Sequence, residues 1–187
     1  MDLWKSLLEL VLGLLTKKEV EVSIPIETPA VEAEFEPKKQ PSPSDIDWTN
    51  PNWHVTEHFL VKDCLMLHSW NRLGTELDGA NFEKLITLCN KMEEIRGILG
   101  CSINVHCMYR SSKYNIEQKI LLPTGMDVHA MSLACDFDCN GKYTIQEVKD
   151  ILVPRLEGLG IRIEFGTTTW VHVDLHSVGP SGRYFRV

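Results

Sequence analysis

Three stretches of the chain carry side chains able to share one reaction. In Trp170-Val-His-Val-Asp-Leu175 the period of a strand puts His172 and Asp174 on one face and Val171, Val173 and Leu175 on the other. In Leu133-Ala-Cys-Asp-Phe-Asp138 the same period sets Asp136 and Asp138 opposite Leu133, Cys135 and Phe137. His129 precedes Asp136 by seven positions, across a stretch that can fold back beside it. If the two strands are neighbours, His129, Asp136 and His172 converge as two imidazoles and a carboxylate with a fourth position open. That donor set suits catalytic zinc, which acidifies a water at its open position. Spacing alone also allows a plain surface pair or a satisfied core histidine. Cys135 and Cys139 lie near by, but Cys135 falls on the strand face opposite Asp136, which argues against it as a ligand.

The elements that must position these groups are legible as patterns. Asn81 can cap a helix in which Phe82, Leu85, Ile86, Cys89, Met92 and Ile95 recur at helical spacing before Gly97 and Gly100. Ile103 to Tyr109 alternates as a half-buried strand does, with His106 on its polar face, and Leu133–Asp138, Ile161–Phe165 and Trp170–Leu175 read as further strands. Thr144-Ile-Gln-Glu147 is a capping box opening a helix towards Gly158, with Pro154 placed to bend it. No glycine-rich phosphate loop and no internal repeat is present. The pattern predicts an α+β domain, a small and mainly antiparallel sheet flanked by helices.

The chain of 187 residues suits one such domain with an appendage. Leu3 to Leu15 is almost continuously apolar, and at about 13 residues it falls short of the ~20 needed to span a bilayer. Lys17, Lys18, Glu19 and Glu21 follow it, where a secretory signal would need small residues. Residues 1–15 therefore read as an amphipathic anchor helix that docks on a partner protein or lies at a membrane surface. Residues 16–45 hold Pro25, Pro29, Pro37, Pro41, Pro43 and six glutamates, a composition that cannot offset its chain entropy by burial and reads as a disordered linker. Residues 46–187 are the expected folded domain. With 19 basic and 26 acidic residues, a net charge of −7 and no basic stripe, nucleic acid is excluded as the expected partner. The six cysteines form no CxxC pair and read as buried free thiols of a reducing compartment.

The series His129-Ala-Met-Ser-Leu-Ala-Cys-Asp136, then Trp170-Val-His-Val-Asp174, resembles the zinc D-alanyl-D-alanine carboxypeptidase and murein endopeptidase family, in particular its bacteriophage-type members. Tyr109-Arg-Ser-Ser-Lys-Tyr-Asn115 is similar to the family's Tyr-Arg-Ser turn, and the Phe82–Gly100 helix and the closing Gly182-Arg-Tyr-Phe185 add to the likeness, which covers about Ile46 to Val187. The resemblance implies a hydrolase acting at the bacterial cell wall, from a phage virion or within the host cell, with Zn2+ held by His129, Asp136 and His172. Its substrate would be a peptidoglycan stem peptide, and Arg110 would hold a substrate carboxylate or the developing oxyanion. Three departures stand out: Asp127 replaces the family's serine, Ser132 its glycine, and Thr169 the carboxylate that many members carry three residues before the last histidine. A hydroxyl cannot act as that base. Glu164 and Asp174 are the alternative candidates, Asp174 favoured because it shares a face with His172, either for catalysis or to orient that ring.

Two other readings stay open. One is a non-catalytic relative that keeps the fold for binding or assembly. The other is an EF-hand-like calcium module, since residues 136–147 place Asp136, Asp138, Asn140 and Glu147 at ligand positions with Gly141 at the turn. A calcium loop needs a helix ending at Asp136, whereas the preceding residues alternate as a strand does, and Glu147 has a simpler task in the capping box.

Overall fold

The computed structural model describes residues 41–74, 79–120 and 127–186. The expected anchor at 1–15, and the linker as far as residue 40, lie outside the described residues. Pro43–Asp45, read above as linker, forms a 3-10 turn capped by Ser42. The Trp48 indole donates a hydrogen bond to the Pro43 carbonyl at 3.0 Å, and its ring lies 4.5 Å from that of Phe82. Structured chain thus begins before Ile46.

Among the described residues five α-helices and seven strands follow. Val61–Leu65 forms α1, and Met66–Leu67 and Arg72–Leu73 form the short hairpin β1–β2. Gly79–Leu99 is the long helix α2, Asn104–Cys107 is β3, Ser112–Glu117 is α3 and Ala134–Asp138 is β4. Ile145–Leu152 is α4 and Leu156–Leu159 is α5. Arg162–Glu164, Val171–Asp174 and Tyr184–Phe185 are β5, β6 and β7. The main sheet runs β3-β4-β6-β5-β7, antiparallel except for the last pair. This is the α+β architecture with a mainly antiparallel sheet that the patterning predicts.

Local chemistry accounts for the helix limits. Leu85, Leu88, Cys89, Met92, Ile95 and Leu99 of α2 are buried, a stripe at helical spacing that must face the sheet. Gly97 stays inside the helix. Termination falls at Gly100, whose φ of 60° is a left-handed conformation that costs glycine nothing and closes the last turn. At α4 the capping box forms: the Thr144 hydroxyl accepts from the Glu147 amide, and the Glu147 carboxylate accepts from the Thr144 amide at 2.8 Å. Pro154 lies in a 3-10 turn, Val153–Arg155, that breaks α4 from α5.

The pleat sorts the sheet's two faces. Cys135, Phe137, Val171, Val173 and Ile163 join the buried cluster with the apolar stripe of α2 and with Val148 and Leu152 of α4. The alternate residues Asp136, His172, Asp174, Arg162 and Glu164 are left on the other side. A covered apolar face thereby holds rigid the strands that present polar groups on the reverse.

Candidate metal centre

β4 and β6 are direct neighbours, and their register sets Asp136 opposite His172. One strand over, β3 places Cys107 opposite Asp136 after a register shift. Between β3 and β4 the chain returns through a turn that carries His129. This turn is closed by amides of Met131, Ser132 and Leu133 donating to the carbonyls of Asp127, His129 and Val128. Asp127 stands where the resemblance expects serine and serves the same turn: its carboxylate accepts from the Ala130 amide at 2.9 Å and from the side-chain amide of Asn115. Ser132 stands where glycine is expected and adopts φ 58°, a left-handed conformation uncommon for a residue with a Cβ. The turn holds this conformation at a cost that glycine would avoid.

The three donors meet. His172 Nδ1 lies 2.7 Å from Asp136 Oδ1, His129 Nε2 lies 3.4 Å from Asp136 Oδ2, and the imidazole rings are edge to face at 5.2 Å. One ligand atom from each residue fits within 4.8 Å of the others, with both histidines buried, a group that could hold a metal ion. Partners behind the donors choose which nitrogen is free. His129 Nδ1–H donates to the Met108 carbonyl at 2.9 Å, so Nε2 is the nitrogen turned to Asp136. His172 Nδ1 lies within hydrogen-bond distance of the Asp136 carboxylate at 2.7 Å and carries a proton there without metal, while Nε2 lies 3.5 Å from Asp174 Oδ2, a partner that would keep its proton when Nδ1 gives its own up to a metal ion.

Asp174 is fully buried and does not stand free. Arg162 grips both its oxygens, at 2.8 and 2.9 Å, and the His176 amide donates to it at 2.9 Å. The guanidinium in turn lies 4.6 Å over the ring of Phe185. Of the two roles expected of Asp174, orienting His172 is the one this geometry fits, since a carboxylate so engaged is a weak base. Arg162, Met108 and Phe185 are the supports that sequence reading missed. Arg162 had a signal, an arginine in phase with Glu164 on the polar face of its strand, but a backbone carbonyl has none.

The remaining predicted residues lie around this centre. Glu164 follows Arg162 by two positions on β5. Arg162 pairs directly with Asp174, so the pleat directs Glu164 to the same side, half-buried and outside the trio of donors. Its charge acts on Lys149 of α4. Thr169 is an exposed loop residue. Arg110 is half-buried, and its Nε has no hydrogen-bond partner among the described residues. A cavity of about 260 Å³ is lined by Tyr109, Ser111, Lys113 and Ala130, the chain neighbours of Arg110 and His129 among them. The calcium pattern does not assemble: Asp136 sits in a strand, Glu147 is spent on the Thr144 cap, and Asp136, Asp138 and Glu147 form no metal-holding group among the described residues.

Without metal the trio is an internal ion pair. Burial pulls the His129 imidazole down, but the charges of Asp136 and Cys107 outweigh it and push it up to about 10. Burial raises Asp136, yet the two histidines hold it well below the usual carboxylate range. A raised imidazole stabilises the fold fully below its ordinary 6.5, and that contribution fades as pH climbs towards about 10. The depressed Asp136 stabilises above its ordinary 3.8 and ceases to do so as pH falls further. Metal must displace the His129 proton, so its apparent affinity should rise about tenfold per pH unit between about pH 6 and 8. Chelator-buffered zinc titrations at several pH values would read this slope, and a flat profile would show that His129 does not bind as a neutral ligand.

An α+β domain with a buried centre of two histidines and one aspartate, each set by partners behind it, is the class of protein these observations define. No protein-family model, curated protein or solved structure matches the chain.

Proposed function

We propose that the chain is a zinc-dependent peptidase that hydrolyses peptide bonds in peptidoglycan stem peptides. The observation that carries this reading is the convergence of His129, Asp136 and His172, with Met108 and Asp174 placed behind the two imidazoles. Two imidazoles and one carboxylate match the donor preference of zinc at catalytic sites, and the buried surroundings strengthen every charge interaction there. Zinc held there would supply Lewis acidity, lowering the pKa of water and polarising a carbonyl.

The chain's own residues supply the rest. Arg162 holds Asp174, and Asp174 holds the His172 ring and its tautomer. Met108 does the same for His129. Arg110, whose buried Nε lacks a partner among the described residues and whose chain neighbours Tyr109 and Ser111 line the cavity, is suited to an anionic group of the substrate, a terminal carboxylate or the oxyanion that forms as the carbonyl is attacked. Glu164 is the candidate to take the proton from the attacking water, because no hydrogen bond from the described residues engages its side chain and its strand directs it to the side of His172. Asp174, committed to Arg162, is not assigned that step.

The deciding experiment uses the full chain. Metal content by elemental analysis should give about one zinc per molecule, and incubation with purified peptidoglycan should release new amino and carboxyl termini identifiable by mass spectrometry. Zinc without cleavage would favour the non-catalytic relative. Absence of zinc would remove both metal-based readings.

A further inference from the structure

The six cysteines are distributed in a way that their sequence spacing conceals. Cys64 at the end of α1 and Cys89 in the middle of α2 are 25 positions apart, yet their sulfurs stand 3.3 Å from each other in the core. Two other sulfurs face different atoms. Cys107 Sγ lies 3.6 Å from His129 Nδ1, and Cys135 Sγ lies 3.8 Å from the Asp136 carbonyl oxygen. Cys107 is the cross-strand partner of Asp136, so it and Cys135 occupy opposite faces of the sheet and cannot meet.

Sulfurs already in contact need only small side-chain rotations to reach the roughly 2.05 Å of a disulfide. A link at 64–89 would fix the middle of α2 to α1. It closes a loop of 25 positions, a range in which a cross-link removes substantial entropy from the unfolded chain.

We propose that the domain takes one internal disulfide, Cys64–Cys89, when it folds in the presence of a small-molecule disulfide, while Cys107 and Cys135 remain thiols. One thiolate of the pair attacks a sulfur of the small disulfide and expels a thiolate, and the other cysteine, after losing its proton, displaces the second small thiol from the mixed disulfide. The protein gives up two electrons and two protons, and the small disulfide is reduced to two thiols. The Cys64 and Cys89 sulfurs are sealed in the finished core, so the exchange takes place before the core closes.

The test is oxidative refolding of the full chain. Reduced, denatured and metal-free protein is refolded in a buffer of reduced and oxidised glutathione, alkylated, digested without reductant and mapped by mass spectrometry. A cross-linked peptide pair, 64 with 89, is expected, with Cys107 and Cys135 alkylated. Adding a phosphine reductant should lower the unfolding midpoint by on the order of 10 °C. A Cys64→Ala variant should show neither the link nor any response to the reductant, which separates cross-linking from lost packing. Alkylation of all six cysteines, or a link from Cys64 or Cys89 to any other cysteine, would overturn the proposal.

Discussion

Replacing His172 with alanine should reduce bound zinc from about one per chain to near none and lower peptidoglycan cleavage by on the order of 10⁴-fold or more. The ring supplies one of three ligand atoms within 4.8 Å of each other, and two remaining donors do not hold zinc against a chelator. The expectation is strong because the site is fixed before metal arrives. β6 is paired on both sides, with β4 and β5, and Arg162 and Asp174 lock the ring from behind. Truncating a side chain on the polar face leaves Val171 and Val173 in the core, so the variant should keep its far-ultraviolet circular dichroism. Elemental analysis beside the cleavage assay reads both effects. Full zinc retained in a folded His172→Ala protein would mean that the metal lies elsewhere. Zinc lost with cleavage unchanged would mean that hydrolysis needs no metal.

The second large effect concerns the proton. Glu164→Gln preserves size and hydrogen-bonding capacity but removes the basic carboxylate. With Glu164 as general base, kcat should fall about 10²- to 10⁴-fold, while zinc content and KM stay close to those of the parent. The acidic limb of the pH–rate profile should disappear with the carboxylate. An Asp174→Asn variant provides the contrast. Asp174 touches His172 and Arg162 but not the cavity, so its loss should weaken zinc binding by about 10- to 100-fold rather than act on kcat at saturating metal. If Glu164→Gln turns over as fast as the parent, the base is another group. If Asp174→Asn instead lowers kcat with zinc binding intact, the two roles are exchanged.

Much of this site was legible in the chain because strand pleating is local. The period of two in Trp170–Leu175 and in Leu133–Asp138 needs no knowledge of the fold to place His172 with Asp174, or Asp136 away from Cys135 and Phe137. The stripe along α2 and the box at Thr144 were equally readable, since helix periodicity and capping depend on residues three or four apart. The short elements were not. α1, β1 and β2 have at most five residues each, too few for a period to repeat, and β7 exists only because β5 offers it a ladder.

What the sequence by itself determined is the set of faces: which side chains each helix and strand would bury and which it would offer. The tertiary structure alone decided which faces meet. That β4 lies beside β6 with Asp136 opposite His172, that Arg162 comes to Asp174, that the Met108 carbonyl selects the His129 tautomer, and that Cys64 finds Cys89 all depend on strand order and register. Those are set by the burial of Cys135, Phe137, Val171 and Val173 under α2 and α4, a cooperative choice among pairings distant in sequence. No local pattern encodes it, because a strand's alternation is the same whichever neighbour it takes.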